Sequence, residues 1–209
     1  MDLKQYNQLR RVGKYLSEEI PKIYGMEESL PVITRLMGVG HGQKIVLEND
    51  EEINFLIDFY LHKFLSNGQT MLERYRTDRS DLEAIEVNYL DAAKASYTSL
   101  FEVKSVNPTE SSVTVIDLLS SSDDSLSVIN INLSKTIKPG YVIFSRLLPY
   151  NEFNAFSGMY AVFDEGSNRG LLKRYKVMKK RIKSDRESVQ RFVSCFKINR
   201  VLGITILAQ

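Results

Sequence analysis

Eight cations fall close together near the carboxyl end: Lys173, Arg174, Lys176, Lys179, Lys180, Arg181, Lys183 and Arg186, with Asp185 as the one acid among them. Side chains of this kind at this density suit phosphate, because every lysine or arginine that neutralises a phosphate releases a condensed counterion. Leu171, Tyr175, Met178 and Ile182 run through the same stretch as a narrow apolar stripe at helical spacing, and the cations cover the remaining circumference. The spacing predicts a basic amphipathic helix over about residues 168–183. Tyr175 adds an aromatic ring for base stacking. The stripe lacks Trp and Phe, which ranks an anionic membrane surface below nucleic acid as a partner. The bland alternative for such a run is a solvated charged face.

A second constellation is Asp91 followed by Glu102 and Lys104, the order of a carboxylate–metal nuclease. That chemistry needs two carboxylates to hold Mg²⁺ and a lysine near the reacting water. Alternation accounts for the same residues more simply: Phe101 and Val103 turn inward while Glu102 and Lys104 face water.

Other reactive side chains are sparse. Cys195 is the single cysteine, which excludes an intramolecular disulfide and the usual thiolate zinc sites. It sits beside Phe196 in an apolar segment and reads as a buried, inert thiol. His41 and His62 fit no metal-ligand spacing, so no metal and no cofactor is expected. The glycine-rich stretch from Gly38 to Lys44 departs from the P-loop pattern, since no Ser or Thr follows the lysine, and reads as a flexible connection. Arg146 and Asp117 lie at apolar strands and are expected to pair across them.

These side chains need a scaffold, and 209 residues with 43% hydrophobic and 26% charged content suffice for a substantial core. The amino terminus lacks the apolar core of a signal peptide, and no apolar run approaches the roughly 18 residues needed to cross a bilayer. A cytoplasmic protein without a membrane partner is expected. Charge is polarised: residues 166–209 carry a net +10 and residues 1–165 a net −8. The basic end therefore meets either nucleic acid or an acidic protein surface, in another protein or a homodimer mate.

The order of elements predicts an α+β fold. Residues 1–97 read as a helical region, with helices over about 2–24, 29–37, 49–65 and from Thr70 onward. Asn49 with Glu52, Ser80 with Glu83 and Ser184 with Glu187 have capping-box spacing. Phe55, Phe59 and His62 oppose the main apolar face of the third helix, which predicts burial on two sides. From Ser99 the period changes to two, and five short strands over 98–165 predict a small antiparallel β-barrel or curled sheet. Residues 166–209 form a basic C-terminal helical region, with Ile204 to Leu207 as a closing strand. The three regions are expected to make one compact unit.

Within the β region, Leu100-Phe101-Glu102-Val103, Asp117-Leu118-Leu119, Ser134 with Ile137 and Gly140, Ser145-Arg146-Leu147-Leu148-Pro149 and Ser157-Gly158 form a recurring set. On these residues the stretch 99–163 resembles the β region of uncharacterised bacterial proteins that carry a SEC-C zinc motif elsewhere. The resemblance implies a domain type and a bacterial source, and no activity. The Cys and His cluster of that motif is absent here, so its zinc is not carried over. The function expected from the residues is a non-enzymatic module that contacts nucleic acid through the basic helix. An assembly subunit is the alternative, and a carboxylate–metal nuclease the third.

Overall fold

A computed structural model describes residues 3–42 and 44–204. Contacts divide the chain into two compact units, 1–96 and 97–209. The boundary falls at the change of period. Residues 166–209, read from sequence as a third region, belong to the second unit.

The first unit is helical. Helix α1 spans Leu3–Tyr24 and buries Tyr6, Leu9, Leu16 and Ile20, a spacing that keeps one face inward. It carries Pro21 in its last turn and runs unbroken through Gly13. Gly13 has a packing reason: a Cβ there would stand 2.7 Å from Cε2 of Tyr89. Helix α2 (Ser29–Met37) ends on Gly38 in the left-handed region, whose N–H donates to the Thr34 carbonyl. Next come two short strands, β1 (Gly40–His41) and β2 (Lys44–Ile45), paired antiparallel. The glycine-rich stretch is therefore a tight hairpin, where a flexible connection was expected. Gly42 serves the turn at φ 63°, while Gly38 caps α2 and Gly40 lies in β1.

Helix α3 (Glu52–His62) buries Phe55 and Phe59 as well as Leu56, Tyr60 and Leu61, so it is covered on both sides as its two apolar stripes require. Asn49 Oδ1 accepts from the Glu52 N–H at 3.1 Å, while the Glu52 carboxylate accepts from Glu48 N–H at 2.9 Å. The Tyr60 hydroxyl donates to the Gly25 carbonyl, and burial pushes its pKa up to about 12. Strands β3 (Leu65–Ser66) and β4 (Gln69–Thr70) form a hairpin whose two-residue turn is Asn67-Gly68, both with positive φ. Thr70 then caps α4 (Met71–Asp78) in a reciprocal capping box with Glu73. Helix α5 spans Ala84–Ala95. Its capping box uses Glu83 and Glu86, one turn later than the expected Ser80–Glu83 pair.

The second unit is built on five strands: β5 (Tyr97–Asn107), β6 (Ser112–Asp117), β7 (Ser125–Ile129), β8 (Val142–Pro149) and β9 (Asn154–Phe163). Their order is β5-β6-β7-β9-β8, and β5 pairs with β8 as well as with β6, so the ladder closes on itself. The expected antiparallel arrangement is corrected at one joint, since β7 and β9 pair parallel through Val128–Asn154 and Ile129–Ala155. The reason is arithmetic. Strand direction cannot alternate all the way round a ring with an odd number of members. The α+β class holds, with a mixed sheet.

Inside the closed sheet, Phe101, Val103, Val113, Val115, Val128, Ile143, Leu147, Phe156 and Val162 form the core. Phe101 and Phe156 meet at 5.3 Å between ring centroids. The short helix α6 (Leu133–Thr136) adds Leu133, and Ile137 follows it into the same core. Helix α8 (Glu187–Leu202) lies against β5 and β9 and buries Val189, Phe192, Val193, Cys195, Phe196 and Ile198. Phe192 meets Phe144 edge to face at 5.6 Å. Helix α7 (Asn168–Arg181) packs on α8 in turn. Ile204 bridges to Val162, while the rest of the expected closing strand, 205–207, lies outside the described residues.

Candidate nucleic-acid interface

The apolar stripe seats α7. Leu171 and Tyr175 are buried, Met178 is half-buried, and Ile182 is buried just past the last turn. The hydrogen-bonding pattern of the helix stops at Arg181, and Ser184 Oγ then accepts from the Arg186 N–H at 3.2 Å. The expected Ser184–Glu187 capping box does not form, because α8 begins at Glu187 with Arg186 in the N-cap position, and the Glu187 carboxylate pairs with Lys179 at 2.6 Å.

Of the eight predicted residues, Lys173, Arg174, Lys176, Lys180, Arg181 and Lys183 are exposed, while Lys179 and Arg186 are half-buried. Helical geometry divides them between two sides. Lys173, Lys176 and Lys180 follow one another at steps of three and four and make a row along the outer side of α7, and Lys183 follows in the segment past its end. Arg174 and Arg181 occupy the other flank.

Beside the row lies a groove of about 650 Å³. Lys176, Lys179 and Lys180 line it from α7 and Gln190 and Arg191 from α8, with Leu118, Leu119 and Leu172 as its apolar wall. Arg191 lines this groove and is not among the eight cations named from the sequence. Its guanidinium donates from Nη1 to the Thr98 carbonyl of β5 at 3.2 Å and stands 3.9 Å from Glu187. The available signal was the Glu187–Arg191 spacing of four.

Tyr175 does not serve as a stacking platform. It is 6% exposed, and burial raises its pKa. Its hydroxyl faces Arg191, so it supports the groove from beneath. Cys195 is fully buried, and burial pushes its thiol pKa far up, in keeping with an inert side chain.

The nuclease constellation is divided between the units. Asp91 lies on α5 and is paired with Arg76, whereas Glu102 lies on β5 and is paired with Lys104 at 2.8 Å. Glu102 and Lys104 share the outer side of their strand, and Phe101 and Val103 are fully buried on the inner side. Among the described residues, no cluster of three or more His, Cys, Asp or Glu side chains is placed to hold a metal. The Asp117 carboxylate accepts from the Ser99 hydroxyl and from the Leu119 N–H at 2.9 Å. Register explains why Arg146 is not its partner: Asp117 lies opposite Phe101 and Arg146 opposite Thr98, three positions apart on β5 and thus on opposite faces. Among the described residues, no helix is long and apolar enough to cross a membrane.

No curated protein and no solved structure matches the chain. The model of a family of unknown function, DUF7986, matches residues 1–209, and the chain belongs to that family.

Proposed function

We propose that this protein is a non-enzymatic nucleic-acid-binding module that holds phosphates along α7 without strong sequence preference. The observation that carries the reading is the row Lys173, Lys176, Lys180 and Lys183. Lys173, Lys176 and Lys180 are exposed on a helix seated by its opposite side, Lys183 is exposed just past its end, and among the described residues the groove beside the row has Glu187 as its one carboxylate.

The β unit supports the same class. A closed five-stranded sheet in the order β5-β6-β7-β9-β8, with a short helix between its third and fourth strands, has the arrangement of OB-type barrels. Many such barrels bind oligonucleotides across their second and third strands. Here that surface offers Thr114, Ile116, Ser125 and Ser127 and no cation. Positive charge lies on α7 instead, and the phosphate contact is assigned there. A surface that reads only the backbone binds duplex and single strand alike and weakens steeply with salt.

Titration of labelled duplex and single-stranded oligonucleotides at low and raised salt tests the reading. Binding at micromolar protein that falls with salt is the expected result. No binding at low salt overturns it.

A further inference from the structure

A second groove, of about 480 Å³, runs between α7 and the last turns of α8, on the arginine flank, and shares Lys173 with the lysine row. Its chemistry differs from that of the first. Val177 and Met178 from α7 meet Ile198, Val201 and Leu202 from α8 to make an apolar floor. Val177 is 48% exposed and Val201 70% exposed, so water covers much of that floor. Arg174 and Arg181 stand on one side, Lys197 on the other and Lys173 at one end, and among the described residues no carboxylate lines the groove.

The cations here suit phosphate as well, but exposed apolar side chains gain nothing from a nucleic-acid backbone. They suit a ligand that brings apolar groups and negative charge together. From Gly170 to Arg181 the α7 wall is about 16 Å long, which matches three turns of a helix laid alongside it. Three apolar anchors spaced i, i+4 and i+7 fit that length, and carboxylates flanking them fall opposite Arg174, Arg181 and Lys197.

We propose that this groove is a docking site for an acidic amphipathic helix of a partner protein, distinct from the phosphate-binding row except at Lys173, which borders both. The α7 helix then works on two sides, with phosphates on its lysine row and a protein partner on its arginine flank. Attraction between opposite charges speeds the encounter, and burial of the aliphatic anchors sets the lifetime of the complex.

The test uses the full chain and a fluorescein-labelled synthetic helix with leucines at i, i+4 and i+7 and glutamates on its remaining face. The control peptide has the same composition, rearranged so that its leucines share no face. The expected result is binding of the first peptide and about tenfold weaker binding of the second. Val177→Asp and Val201→Asp each weaken the first peptide by about tenfold or more, since each puts a carboxylate into the apolar floor. Both positions are exposed, so both variants fold, as circular dichroism checks. Lys176→Glu with Lys180→Glu leaves peptide binding in place and removes oligonucleotide binding.

Failure of the peptide to bind overturns the proposal, as does equal binding of the rearranged control, which signals charge attraction alone. Loss of oligonucleotide binding in Val177→Asp also overturns it, because the groove then belongs to the nucleic-acid surface. A dimer of the parent chain that Val201→Asp dissociates overturns it in favour of a second copy as the occupant. If the oligonucleotides fail to bind and the peptide binds as described, the phosphate reading fails alone.

Discussion

Lys179 Nζ stands 2.6 Å from Glu187 Oε1 and joins the last turn of α7 to the first turn of α8. The hydrogen bond from Lys179 holds the Glu187 pKa below its ordinary value of 4.5, with further help from the charges of Lys179 and Arg191. A carboxylate with a depressed folded pKa stabilises the protein above its unfolded pKa, and that contribution is lost as pH falls through the folded value. Glu187 is largely in water, so the effect on stability is small.

Glu187→Gln therefore has its main effect on binding. It releases Lys179 into the basic groove and removes the one carboxylate there. The log–log salt slope for duplex DNA is expected to steepen by up to about 0.9, the value of one further phosphate contact. Melting temperatures of parent and variant should differ slightly near neutral pH and converge below the folded Glu187 pKa. Parallel salt titrations and a pH series of melting curves check both statements, and an unchanged or shallower slope counts against the groove as part of the interface.

Four contacts from Lys173, Lys176, Lys180 and Lys183 predict a slope of about −3.6, so a fourfold rise in salt should cost roughly a hundredfold in affinity. Changing all four to Glu should abolish binding and leave the melting temperature within a few degrees, since none lies on the seated stripe. A variant that unfolds instead places these lysines in the architecture.

Gly13→Ala is expected to destabilise the first unit although Ala is the better helix former. The propensity gain is up to about 1 kcal/mol, while forcing a methyl against a packed ring costs about 1–3 kcal/mol. The Cβ would meet Tyr89 Cε2 at 2.7 Å, and the ring lies between α1 and α5. Urea denaturation should show a net loss of about 1 kcal/mol, recovered in part by Tyr89→Leu in the same chain. A more stable single variant refutes the packing account.

Phe192→Ala should cost about 3–5 kcal/mol, because Phe192 is fully buried and loses both its burial and its edge-to-face contact with Phe144. Since α7 rests on α8, the same change should loosen the basic surface. Hydrogen exchange read along α7 and α8 shows whether the two helices open together, and protection unchanged in both excludes that coupling.

The amino-acid sequence by itself determined the α+β class, the start of the β unit near residue 97 and the burial of α3 on both sides. Each of these is a local signal. Alternation at Leu100 to Val106 differs from the three-and-four spacing of α1, and α3 carries two apolar stripes whatever packs on them. The cations of α7 were equally legible, because charge and helical spacing need no neighbours to be read. What surrounds them was decided by tertiary structure. Tyr175 looked available for stacking and is buried, Glu187 looked like a cap and is taken by Lys179, and Asp117 takes its hydrogen bonds from Ser99 and Leu119. The parallel joint between β7 and β9, Arg191 at the first groove and the apolar floor of Val177 and Val201 likewise emerged only with the fold. Periodicity tells which side of an element faces inward. It does not tell which element lies opposite, and partners far apart in sequence are set by how the strand ring closes and where α8 lands on it.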